Sequence, residues 1–140
     1  MSRFRFDAAD LRLDLPVPGW YPAHVQHARF RRSPNNHRML EVVYAVAEVD
    51  PPYARLGEYF VLEGGNAFGL SKTRRRLVEL YRACGIDPRP DDEISPSVLI
   101  GKAVEVELGL DQWRGQPRVA VVSHRRLVGA QRAPAPSAGS

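Results

Sequence analysis

A long alternating stretch near the start of the chain constrains the fold most. Residues 20–30 predict a strand, because successive side chains of a strand point to opposite faces. The apolar side chains that we assign to its core face are Tyr21, Ala23, Val25, Ala28 and Phe30. The last two are out of phase with the first three, which predicts a β-bulge near His27, where one extra residue enters the strand.

Four more segments have the alternation or the composition of strands. Residues 38–48 are the clearest, because Leu40, Val42, Tyr44 and Val46 recur at every second position. Residues 57–62, 102–109 and 117–124 are rich in the β-branched and aromatic residues that strands favour. The segment 111–116 has a late glycine and is predicted to be the hairpin loop between the last two strands.

One helix is predicted between the third and fourth strands, from Phe68 or Ser71 to Cys84. Its apolar residues follow helical spacing, Ser71 suits the N-cap, and Gly85 suits the position after the helix. Residues 95–100 add one helical turn. This order predicts a mainly β fold, a five-stranded OB-fold Greek-key barrel with one α-helix between strands 3 and 4.

The chain of 140 residues fits one domain. We assign 1–128 to the OB-fold domain, with 1–18 as an N-terminal arm or edge strand. Residues 129–140 are dominated by Ala, Pro, Ser and Gly and are predicted to be a disordered tail. The one cysteine, Cys84, excludes an internal disulfide and is expected to be a buried, inert thiol.

The charge is compatible with a nucleic-acid partner. The net charge is +4, and 18 of the 20 basic residues are Arg, whose planar fork suits phosphates. Codon bias in a GC-rich genome is the alternative explanation. The chain shows neither a signal-peptide pattern nor an apolar run long enough to span a membrane. We therefore expect a cytoplasmic protein with no membrane partner.

Two loops of the predicted OB-fold carry arginines and a tryptophan. OB-folds bind ligands across strands 2 and 3 and between the loops that join strands 1–2 and 4–5. Here these loops are 31–38 and 111–116. Binding of a single strand needs cations for phosphates and aromatic rings for bases. The candidates in and beside the loops are Arg31, Arg32, Arg38, Trp113, Arg114 and Arg118. The alternatives are a Trp113 ring packed over the barrel end and arginines that are merely solvated.

Three further residues are candidates outside these loops. Tyr59 and Phe60 must point to opposite faces of their strand, so one belongs to the core and we assign Tyr59 to the binding face. Lys72 and Arg75 belong to a basic run at the helix start, where a phosphate would offset their repulsion by the helix dipole. A solvated helix face is the alternative for this run.

Signals for enzymatic activity are weak. The segment 64–73 resembles a phosphate-binding P-loop, but Leu70 and Ser71 separate Gly69 from Lys72, where the motif needs adjacent residues. His24 and His27 are three residues apart, which places them on opposite faces of a regular strand and argues against a shared metal. We therefore predict no enzyme activity, no cofactor and no metal.

A family resemblance supports the same fold. The chain resembles phage and prophage OB-fold proteins of replication and recombination gene clusters, formerly a domain of unknown function, which are regarded as single-stranded-DNA-binding-like. The resemblance spans about residues 3–124 and is carried by residues 4–7, 15–23, 39–46, 57–60, Leu77, Leu80, 83–86 and 99–106. Its motifs mark turns and core. The chain departs from the family at Pro34, Asn35 and Asn36, where a glycine is usual.

The resemblance implies non-sequence-specific binding of single-stranded DNA in phage-type replication or recombination. The implied partners are single-stranded DNA and proteins of these processes. The oligomeric state stays open, with a homo-oligomer among the alternatives. The tail lacks the acidic tip by which bacterial single-strand-binding proteins recruit partners, so recruitment by that route is not implied. The alternative function is an OB-like protein–protein interaction module that binds no nucleic acid.

Overall fold

The computed structural model describes residues 5, 15–113 and 115–128. These residues form one α-helix and five strands. The strands are β1 (Gly19–Arg32), β2 (Arg38–Val46), β3 (Arg55–Val61), β4 (Ala103–Trp113) and β5 (Gln116–Arg125). The helix α1 (Ala67–Ala83) lies between β3 and β4, and a 3-10 helix (Pro96–Leu99) precedes β4. The mainly β composition and the place of the helix are as predicted.

All five strands belong to one antiparallel sheet in the order β3-β2-β1-β4-β5. β1 is central because it pairs with β2 along most of its length and with β4 over its first half. The edge strands β3 and β5 contact each other, but no backbone ladder joins them within the described ranges. The sheet therefore stays open and does not close into the predicted barrel.

The bulge predicted in the first strand is confirmed. The register between β1 and β2 shifts between Val25 and His27, which returns Ala28 to the core face. The predicted hairpin loop 111–116 is too long. β4 continues to Trp113 and β5 begins at Gln116, so only positions 114 and 115 connect them. Gly115 has φ +76, a conformation that glycine adopts without steric cost.

The core lies between one face of the sheet and α1. Leu40, Val42, Tyr44 and Val46 are buried, as their alternation predicts. Phe30 was assigned to the core, but 44% of its surface is exposed. It shares the inner face with its partner Leu40 on β2. It lies two residues before the end of β1, at the margin of the core.

The helix begins at Ala67, one residue before the earlier of the two predicted starts. Its N-cap is Asn66, not Ser71, and the Asn66 Oδ1 atom accepts a hydrogen bond from the Gly69 amide at 2.7 Å. The C-terminal prediction is correct, since Gly85 follows the helix with φ +85. Cys84 is half-buried, and burial raises the pKa of its thiol to about 11, which keeps it unreactive at neutral pH.

The predicted N-terminal arm, apart from Arg5 and residues 15–18, and the predicted tail lie outside the described residues. In the part of the chain that is described, no helix has the length and apolar character needed to cross a membrane.

Candidate nucleic-acid interface

The face of β1, β2 and β3 that points away from the core carries two rows of side chains that cross the strands. One row is Arg29, Glu41 and Tyr59, and the next is Arg31, Met39 and Val61. Directly opposed residues of antiparallel strands share a face, so both rows point away from the core side that Leu40 and Phe60 occupy. We call these two rows the outer face.

A buried carboxylate organises the cations of the outer face. Glu41 is only 7% exposed and accepts hydrogen bonds from Arg29 Nε at 2.9 Å and from an Arg31 terminal nitrogen at 3.0 Å. Burial raises the pKa of Glu41, but the two guanidinium hydrogen bonds and charges outweigh burial and hold the pKa below its ordinary value. The trio therefore carries a net positive charge, with both arginines fixed in place and about half-exposed.

Tyr59 presents the aromatic ring of the outer face. It is 48% exposed, whereas the next residue, Phe60, is fully buried. The alternation that the sequence predicts is therefore correct, with Phe60 in the core and Tyr59 outside. The backbone carbonyl of Tyr59 accepts a hydrogen bond from Arg76 at 3.0 Å, which ties this strand position to α1.

Tyr59 also lines a groove of about 690 Å³ between the open edges β3 and β5. Arg76 and Arg118 line the same groove, so the structure brings Tyr59 together with one predicted arginine and one that the sequence did not single out. Arg118 lies 3.9 Å from the Asp111 carboxylate, and both side chains are more than half exposed. An ion pair this exposed is weak, so Arg118 remains available to an external anion.

The loop between β1 and β2 is held against the segment that follows β3. Glu63 accepts hydrogen bonds from the Arg38 amide at 2.8 Å and from Arg32 at 3.3 Å. The hydrogen bond from the Arg38 backbone amide is the main cause of the lowered pKa of Glu63. The guanidinium of Arg38 lies 5.9 Å from the centre of the Phe30 ring. Asn36 adopts φ +62, a conformation that Asn tolerates better than most residues.

The two predicted helix residues lie apart from this surface. Lys72 lies 5.4 Å from the centre of the exposed Phe68 ring. Arg75 donates to the Ser71 carbonyl and lines a different groove, between α1 and the end of β5. The side chain of Trp113 and all of Arg114 lie outside the described residues, so their predicted roles stay predictions.

Sequence reasoning missed Arg29, Glu41 and Arg76. The signal for Arg29 was present, because it is two residues before Arg31 and therefore shares its strand face. Glu41 occupied the polar phase of a strand assigned mainly to the core, and its partners became evident only from the register between β1 and β2.

A buried polar cluster holds β5 to β3 and α1. The His124 side chain is 0% exposed, and its two ring nitrogens lie 2.7 Å from Glu58 on β3 and 2.7 Å from Glu79 on α1. Glu58 also accepts hydrogen bonds from Tyr44 and Arg76. Burial lowers the pKa of His124, but the hydrogen bonds and charges of Glu58 and then Glu79 outweigh it and raise the pKa. The His124 and Glu58 side chains are shielded from solvent, whereas Glu79 is 42% exposed; because these hydrogen bonds join three elements, we assign the cluster a structural role.

No protein-family model matches the chain, and no curated protein sequence matches it.

Proposed function

We propose that this protein is a non-catalytic, OB-fold single-stranded-DNA-binding protein without sequence specificity, acting in phage-type DNA replication or recombination. The order of elements supports the fold, since a helix between strands 3 and 4 is the OB-fold arrangement. The open edge between β3 and β5 agrees with it as well, because the OB-fold is a partly open barrel. The process is proposed from the family resemblance alone.

The observation that carries the proposed function is the outer face. An exposed tyrosine ring lies in one row with Arg29 and Glu41, beside Arg31. In an OB-fold, strands 2 and 3 form the surface that nucleic acid crosses. A base would stack on Tyr59, and phosphates would contact Arg29 and Arg31, which Glu41 holds ready in position. Rings and phosphate contacts of this kind do not read sequence.

The arginines at the two ends of this surface would extend the contact. Arg32 and Arg38 lie at the β1–β2 end, and Arg118 lies in the groove beyond Tyr59. We propose that Trp113 and Arg114 contribute at the β4–β5 hairpin. Lys72 and Arg75 would serve only a longer strand that continues past the β3–β5 groove onto α1.

A second candidate is an OB-like protein–protein interaction module. It is favoured by the pairing of the relevant cations, since Arg29 and Arg31 share Glu41, Arg32 contacts Glu63, and Arg118 contacts Asp111. A surface whose cations are partly neutralised gains less from phosphates. The two candidates differ in salt dependence, because counterion release makes nucleic-acid binding weaken steeply with salt.

A titration of labelled oligo-dT tests the proposed function. We expect binding at low salt with a dissociation constant below about 10 µM, and marked weakening at moderate salt. Arg31→Ala should weaken binding and reduce the salt dependence, whereas the matched control Arg89→Ala, an exposed arginine on the connector after α1, should change neither. Absence of binding at low salt would refute the proposed function, and salt-independent capture of a protein would favour the second candidate.

A further inference from the structure

A second cationic groove lies between the C-terminal half of α1 and the end of β5. It has a volume of about 740 Å³, and Arg75, Arg82, Arg125 and Arg126 line it. We call it the α1–β5 groove. None of its lining residues lines the β3–β5 groove that contains Tyr59, and of the residues that we propose for DNA only Arg75 lines it.

The α1–β5 groove has an excess of positive charge. The nearby carboxylates are those of Glu79, Asp87 and Glu105. Glu79 is occupied by His124 and Ser123, and Glu105 pairs with Arg125. Arg82 Nε and Asp87 Oδ1 form an ion pair at 3.2 Å, and both side chains are largely exposed. Breaking this ion pair therefore costs little free energy. Within the described residues, Arg126 has no ion pair, which leaves its guanidinium to an external partner.

Three apolar residues line the groove, and the one ring in its described lining, the imidazole of His124, is 0% exposed. Val78, Ala83 and Ile86 line it between the arginines. The Trp20 ring lies outside this lining and is covered by Arg125, whose guanidinium lies 4.1 Å from the ring centre. Single-stranded nucleic acid needs rings on which bases stack, and this groove offers none. A complementary ligand would therefore offer carboxylates to the arginines and short apolar side chains to the apolar residues of the groove.

We propose that the α1–β5 groove docks an acidic peptide segment of a partner protein, one that alternates carboxylates with apolar side chains. Both walls are fixed before binding, because His124 and Ser123 of β5 are hydrogen-bonded to Glu79 of α1. A preformed groove loses little conformational entropy when a peptide binds. This inference does not rest on the proposed DNA binding.

Fluorescence anisotropy with a defined probe tests the docking. The probe is a fluorescein-labelled decapeptide of alternating Asp and Leu, and its control has Asn in place of each Asp. We expect the Asp peptide to bind, and the Asn peptide to bind at least about tenfold more weakly, because it lacks the charges that the arginines complement. Failure of the Asp peptide to bind, or equal binding of the two peptides, overturns the proposal.

Charge reversal locates the site. Arg82→Glu with Arg126→Glu should weaken binding of the Asp peptide at least about tenfold and leave the affinity for oligo-dT unchanged. The matched control is Arg74→Glu with Arg89→Glu, two exposed arginines outside this groove, and it should bind the peptide as the unmodified protein does. Circular dichroism checks that each variant is folded. The neutral double variant Arg82→Gln with Arg126→Gln should also weaken binding of the Asp peptide, but by less than the charge reversal does.

Each of the remaining outcomes either supports or overturns the docking proposal. Equal weakening by the groove variant and its control means nonspecific attraction and overturns the proposal. Weakened oligo-dT binding in the groove variant, with peptide binding unchanged, makes the groove a nucleic-acid path and overturns it too. Peptide binding at the groove without any oligo-dT binding supports the docking site while refuting the proposed DNA-binding function.

Discussion

Tyr59 is the residue on which the proposed stacking depends. Replacing it with alanine removes a ring that is 48% exposed, so the fold should tolerate the change. A base stacked on an aromatic ring contributes about 1–3 kcal/mol, and Tyr59→Ala should therefore weaken oligo-dT binding by about 5-fold to about 150-fold. Tyr59→Phe keeps the ring and should retain the affinity. Unchanged affinity in Tyr59→Ala would show that no base stacks there.

His124 should make the stability of the protein depend on pH. Its pKa in the folded state is raised above the ordinary value of 6.5, because the protonated ring donates to both Glu58 and Glu79. The stabilisation is complete below the unfolded-state pKa and is lost as pH rises through the folded-state pKa. The free energy of unfolding should therefore fall as the pH rises from the ordinary value of 6.5 through the raised folded-state pKa of His124, as urea denaturation would measure.

Two substitutions assign this decline to His124. His124→Gln removes the charged partner of Glu58 on β5 while Arg76 still pairs with Glu58, and it should cost about 1–3 kcal/mol at low pH. It should also remove the alkaline decline. Glu79→Gln keeps His124 but removes one carboxylate, so the decline should shift to lower pH. A decline of equal size in the protein and in His124→Gln would contradict this account.

Single residues were predictable where alternation alone decides their environment. The buried Tyr44 and the opposed Tyr59 and Phe60 follow directly from the period of a strand. Phe30 follows the same period but is half-exposed, because its burial depends on which elements cover the strand end. The pairing of Arg29 and Arg31 with Glu41 depends on the register of two strands, which no local pattern specifies.

At the scale of the elements, the start of α1 offers a direct test of the cap. Asn66 accepts the Gly69 amide, so Asn66→Ala should destabilise the protein by about 1 kcal/mol. Ser71 lies inside the helix, and Ser71→Ala should change the stability little. Thermal denaturation of the two variants compares the observed cap with the predicted one. A larger loss in Ser71→Ala would place the helix start at the position that the sequence favoured.

The existence of the elements was more predictable than their ends. Five segments with alternating or β-branched residues predicted the five strands. Apolar residues at helical spacing predicted α1. The Asn66 cap was missed because Ser71 also has a side chain that suits an N-cap, and the sequence pattern does not decide between the two. The hairpin was predicted too long because Asp111, Gln112 and Gln116 are polar, although backbone pairing extends β4 and β5 through them.

At the scale of the molecule, the open edge between β3 and β5 was not predictable. Whether two edge strands form a ladder depends on the twist of the whole sheet and on what lies between the edges. Here the polar cluster of Glu58, Glu79 and His124 joins the edges through side chains instead. The resulting groove lies beside Tyr59 and lengthens the surface that we propose for DNA.

A nuclear magnetic resonance titration with oligo-dT tests the central claim, that the outer face binds single-stranded DNA. Amide resonances of the ¹⁵N-labelled protein report where the strand lies. We expect the largest shift changes at Arg29, Arg31, Glu41, Tyr59 and Val61. Smaller changes should follow at the β1–β2 loop and at Arg118. Changes confined to the α1–β5 groove, or no changes at concentrations that saturate binding, would contradict the claim.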